Sequence, residues 1–223
     1  NSSNVNKEVG SLSRCLPKHP EKTREVKKEE RFLNWASSAY SCHDFSAMDD
    51  ISRELEEAPD ALKLMQSGKG KFYLVYHSKN ESFKDTYPCL RAVRRQFDKK
   101  SGKATYQYEY GSGKQVTTNH RQVSVDKTDE AYPLPNEFSM DLNYGGSMKK
   151  QDFQIIYSDF TNCALLLSWG LGYQVWVESR YLAERRIVPP LCSRLYNLLA
   201  EGEKKHVVYN WRNCPIRQQN QDG

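Results

Sequence analysis

Between Gly70 and Glu178 the chain is a succession of short stretches mostly rich in Tyr, Val, Thr and Phe, over residues 72–78, 87–97, 103–110, 115–125, 137–144, 153–158, 163–169 and 173–178. Glycine-bearing breaks separate several of them: Ser101-Gly102, Gly111-Ser112-Gly113, Gly145-Gly146 and Gly170-Leu171-Gly172. β-branched and aromatic residues between such breaks are the signature of strands joined by tight hairpins. Connections this short allow antiparallel neighbours only, and eight strands in a meander close into a barrel able to hold one small ligand. A filled sandwich is the alternative that the same pattern permits.

Helices flank the strand region. Residues 23–41 place Phe32, Trp35, Ala36 and Ala39 at spacings of three and four, and a second helix fits 46–57, with Ser46 as N-cap and Pro59 as its stop. A third fits 60–66, ending at Gly68. Residues 190–200 carry Leu191, Leu195, Leu198 and Leu199 as one apolar face, and 206–211 reads as extended. The expected division is an N-terminal arm and helix over 1–45, the barrel with its C-terminal helix over 46–214, and a flexible tail over 215–223.

Six cysteines, Cys15, Cys42, Cys89, Cys163, Cys192 and Cys214, are even in number and contain no Cys-x-x-Cys pair, so disulfides are favoured over a zinc ribbon or thiol redox site. Buried reduced cysteines are the alternative. Asn80-Glu81-Ser82 and Asn1-Ser2-Ser3 are glycosylation sequons. Together with the cysteines they point to an oxidising, extracellular setting. The start at Asn1, without Met or an apolar leader, reads as a processed product. The longest purely apolar run, from Cys163 to Leu167, is far short of the roughly 18 residues of a transmembrane helix.

Lys plus Arg number 33 and Asp plus Glu 28, a net charge of +5 that permits an acidic partner without requiring one. The charge-dense stretch 21–31 mixes both signs, as a solvated helix face does. Arg91, Arg94 and Arg95 form the most compact arginine cluster but lack the aromatic interleaving of a single-strand nucleic-acid groove. Adjacent Cys42 and His43 are not a nucleophile and base brought together across a fold, and the five histidines show no metal-ligand spacing. Neither an enzyme, a metal nor another cofactor is implied.

Four motifs, taken in order, carry a family resemblance. They are Asp60-Ala61-Leu62-Lys63 leading into Phe72-Tyr73-Leu74-Val75; Tyr157-Ser158-Asp159 before Asn162-Cys163; Tyr173-Gln174-Val175-Trp176-Val177; and Pro190-Leu191-Cys192. From Asp60 to Cys214 the sequence resembles the tick salivary lipocalins typified by histamine-binding proteins. The resemblance implies a mostly β fold: a secreted, eight-stranded antiparallel lipocalin barrel, with N-terminal helices and a C-terminal helix packed outside, whose cavity captures host mediators. It also implies disulfides Cys163–Cys192 and Cys89–Cys214. Cys15 and Cys42 are left over and would pair by elimination.

Where amine-binding members tend to carry an acid directly after the strand cysteine, and another two residues before the strand tryptophan, this chain has Ala164 and Gln174. A third acidic position of amine binders is Asn119. A protonated amine taken out of water without a counter-charge loses several kcal/mol. A cavity so lined suits a lipid mediator, such as an eicosanoid, fatty acid or sterol, better than histamine or serotonin. Strand period puts Tyr106, Tyr108 and Tyr110 on one face, taken here as the inner one, with the barrel exterior as the alternative. Gln174 and Trp176 share a face, and Arg91 and Arg94 lie on opposite faces, so only one can look inward to hold a carboxylate. The expected ligand set is therefore Tyr106, Tyr108, Asn119, Ala164, Gln174, Trp176 and Arg94. The expected partner is a small host mediator, bound by a monomer without nucleic acid or membrane. A second reading, motivated by the N-terminal arm, is a filled barrel that blocks a host protein such as a complement component; a third leaves the barrel empty.

Overall fold

The structure, a computed structural model, describes residues 58–112, 115–144 and 147–214. The helices expected over 23–41 and 46–57, Cys15 and Cys42, Asn1 and the 215–223 tail lie outside the described residues. In chain order the elements are α1 (Ala61–Ser67), β1 (Lys71–His77), α2 (Phe83–Thr86), β2 (Arg91–Asp98), β3 (Lys103–Tyr110), β4 (Thr117–Asp126), β5 (Glu137–Tyr144), β6 (Ser147–Ser158), β7 (Cys163–Ser168), β8 (Gly172–Glu178), α3 (Ser179–Arg185), α4 (Pro190–Leu199) and β9 (His206–Val207).

Strands β1 to β8 pair antiparallel with their sequence neighbours, and β8 pairs back onto β1. That last ladder closes the sheet into a barrel. The far edge of β1 is shared: Lys71–Tyr73 bond to β2, and Tyr76–His77 bond to β9. The turns obey their residues. Gly102 and Gly172 sit at φ +63° and +64°, and a Cβ on Gly172 would come within 2.2 Å of the Ser78 hydroxyl oxygen. Only glycine fits that hairpin.

One apolar layer lies outside the barrel. The outward residues Tyr73, Val75, Cys163, Leu165, Val175 and Val177 of β1, β7 and β8 pack against Leu182 of α3 and Cys192, Leu195 and Tyr196 of α4. This explains why Cys163-Ala164-Leu165-Leu166-Leu167 is continuously apolar, since both faces of β7 are covered. Disulfide Cys163–Cys192 staples β7 to α4, and Cys89–Cys214 ties the approach to β2 to the segment after β9. The expected helix face needs correction: Cys192, Leu195 and Tyr196 are buried, whereas Leu198 and Leu199 are exposed. The disulfide at Cys192 fixes which side of α4 turns inward.

A second layer fills one end of the barrel. Helix α1 is capped by Asp60, whose carboxylate accepts from Lys63 N–H at 2.9 Å. It places Ala61, Leu64 and Met65 on Ala104, Val123, Phe138 and Ile155. This end is a packed core; above it the interior is hollow.

Candidate ligand cavity

Antiparallel register decides which side chains line the hollow. On β3, Tyr106 and Tyr108 stand opposite Arg121 and Asn119 of β4, and Tyr108 stands opposite Ala92 of β2. On the other wall Ala164 faces Trp176 and Leu166 faces Gln174 across the β7–β8 ladder. These residues bound a cavity of about 640 Å³, floored by Leu64, Val123, Phe138 and Phe153 and rimmed by Asn80, Phe83, Tyr87, Tyr110 and Leu171. Its size lies within the roughly 300–1,000 Å³ of pockets that enclose small organic ligands.

The lining is largely apolar and aromatic, and what polarity it has is neutral apart from one arginine. Gln174 is fully buried; its amide donates to the Ser168 hydroxyl at 2.8 Å, and its carbonyl accepts from the Trp176 indole N–H at 3.3 Å. Its polar atoms are thus satisfied by the wall itself. The Tyr108 hydroxyl meets only a weak acceptor, the Met140 sulfur at 3.7 Å. Burial raises the Tyr108 phenol far above its usual range and pushes that of Tyr106 up to about 12, with Arg94 opposing the latter, so both are neutral donors at physiological pH. No carboxylate is among the described lining residues.

Six of the seven expected ligand residues, Tyr106, Tyr108, Asn119, Ala164, Gln174 and Trp176, come together on this cavity. Arg94 does not line it. Its guanidinium donates to the Met65 carbonyl near the end of α1 and stacks over Phe97, which ties the helix to β2. Arg91 pairs outside the barrel with Glu109 at 2.6 Å. The cation at the cavity is instead Arg121, which its spacing from other arginines had not marked out. Arg121 shares the inner face of β4 with Asn119, two residues before it, and the β3–β4 register sets it beside Tyr106.

A closed antiparallel barrel, capped at one end by a helix and hollow at the other, is the architecture of a lipocalin-type ligand binder. The sequence matches the family model described as tick histamine binding protein over residues 50–215, and the chain belongs to that family. Among solved structures it is similar to AM182 in its serotonin complex, at 18% identity and a TM-score of 0.55, over 70% of this chain and 92% of that one. Japanin from Rhipicephalus appendiculatus bound to cholesterol aligns at 17% identity and a TM-score of 0.45, covering 65% and 95%. Insecticyanin from the tobacco hornworm Manduca sexta aligns at 13% and 0.49, covering 67% and 82%. A comparison with curated proteins found no match.

Proposed function

We propose that this lipocalin is a secreted, monomeric binder that sequesters a host lipid mediator, an eicosanoid, fatty acid or sterol, by stoichiometric capture and without catalysis. The observation that carries the reading is the pairing of a cavity of about 640 Å³ with a lining that, among the described residues, holds no carboxylate. A protonated amine entering it would shed water and find Gln174 and Ala164 where a counter-charge is needed. An amphiphile finds aromatic walls, the donor hydroxyl of Tyr108 and one cation.

Two disulfides support export to an oxidising compartment. Asn80, exposed at the cavity rim with its side-chain carbonyl accepting from the Ser82 hydroxyl at 3.0 Å, is the proposed glycan site. The N-terminal segment up to residue 45 is read as an arm distinct from the barrel.

Native mass spectrometry of the purified chain, followed by titration with leukotrienes, fatty acids, cholesterol, histamine and serotonin, tests the proposal. A co-purifying lipid, or lipid uptake at one molecule per chain, is expected. Tight histamine binding with no lipid uptake would overturn it.

A further inference from the structure

The barrel wall is not hydrogen-bonded all the way up. Strand β4 pairs with β3 from Thr117 to Ser124, but with β5 only from Val123 to Asp126. Beyond the Val123–Met140 pair β5 continues to Tyr144 bonded to β6, while residues 117–122 of β4 have β3 on one edge and, among the described residues, no ladder partner on the other. Exposure follows the split. Asn119 faces the cavity yet is exposed, as are its neighbours Thr117, Thr118 and His120, while Val123, where the two ladders meet, is 2% exposed. A side opening thus parts β4 from β5, and the cavity reaches it through Asn119, Arg121 and Leu142.

Arg121 stands in this opening. It is half-buried, and among the described residues its hydrogen bond goes to the carbonyl of the adjacent His120 at 3.0 Å and no carboxylate lies within ion-pairing distance. The contrast with the other arginines is chemical: Arg91 is spent on Glu109, Arg94 on Met65 and Arg95 on Gln107. A guanidinium left with most of its donors unused beside an apolar hollow is matched by a planar anion that brings an apolar chain with it.

We propose that the opening between β4 and β5 is a headgroup port, in which Arg121 binds the carboxylate of a single-chain acidic amphiphile while the chain lies in the barrel among Tyr106, Tyr108 and Trp176. This deepens the lipid reading and rests on it. It separates acidic lipids of the fatty-acid class from sterols and neutral lipids, which have no group for Arg121.

The test compares oleic acid with oleyl alcohol, the same chain with and without the charge, on the full chain, Arg121→Gln and Arg121→Lys. The native protein is expected to bind the acid at least about tenfold tighter than the alcohol, the scale of a charge-assisted hydrogen bond. Arg121→Gln should weaken the acid by about tenfold or more and leave the alcohol within about threefold, which also reports that the variant is folded. Arg121→Lys, keeping the charge without the fork, should fall between. Equal binding of acid and alcohol by the native protein, or an acid preference that persists in Arg121→Gln, overturns the port while lipid capture stands. Binding of neither overturns both.

Discussion

The Gln174 amide spans the β7–β8 ladder to the Ser168 hydroxyl at 2.8 Å, and the same side chain holds the Trp176 indole N–H at 3.3 Å. This neutral relay occupies the wall where a cationic ligand would need an acid. Replacing Gln174 by Glu together with Ala164 by Asp supplies two carboxylates on that wall, since Ala164 faces Trp176 across the ladder. The double variant is expected to gain histamine or serotonin affinity by tenfold or more in calorimetric titration. It should lose about 1–3 kcal/mol of stability when empty, because buried carboxylates without partners are costly.

Ala92 faces Tyr108 across β2 and β3 and lines the hollow. Ala92→Trp should therefore fill space and leave the fold standing, with a melting temperature within a few degrees of the native one. Lipid uptake should fall at least tenfold. In a barrel already packed solid the same change would cost about 1–3 kcal/mol by overpacking and leave binding by an outer surface untouched.

The two cystines close loops separated by 29 and 125 residues in sequence. Removing either pair as a double Ala variant is expected to lower stability by roughly 3–5 kcal/mol in the chain-entropy account, with the longer Cys89–Cys214 loop at the upper end. Denaturant midpoints of the two double variants check the order.

His77 is fully buried, stacked on His206 at 5.3 Å between ring centroids, and burial pulls its pKa down to about 4, with the Lys79 backbone partly opposing. The unfolded chain binds this proton near pH 6.5 and the folded one only near 4, so stability is whole above the first value and falls between them. The loss reaches at most about 3 kcal/mol at pH 4. His77→Phe should flatten the slope of stability against pH across that window, measured by denaturant unfolding.

The strands and the inner set were legible because period two and hairpin glycines act locally. Once β3 is a strand, Tyr106 and Tyr108 share a face, and once β8 is a strand, so do Gln174 and Trp176. What was not legible depends on partners. The first half of β6, Ser147-Met148-Lys149-Lys150-Gln151-Asp152, is mostly polar, and among the described residues its ladder is with β5 alone. Residues 87–90, expected to open a strand, instead form a turn after α2, where Cys89 sits at φ +55° and is fixed by its disulfide to Cys214. Helix α3 starts on Glu178, whose carboxylate accepts from Arg180 and Tyr181 N–H, and ends on Arg186 at φ +54°, without the usual glycine signal. Arg121 lies two residues beyond Asn119 on the same face of β4, so period two places it inward as well; what the sequence does not show is that the β4–β5 ladder stops at Val123 and leaves Arg121 in an opening.

The central claim is that a hollow without negative counter-charge takes an amphiphile in preference to an amine. It is tested most directly by loading the native chain with a fluorescent fatty acid and titrating unlabelled oleate and histamine as competitors. Oleate is expected to displace the probe at equimolar amounts, and histamine to leave the signal unchanged at a hundredfold excess. Failure of the probe to bind, with histamine binding at one site per chain by calorimetry, would contradict the claim.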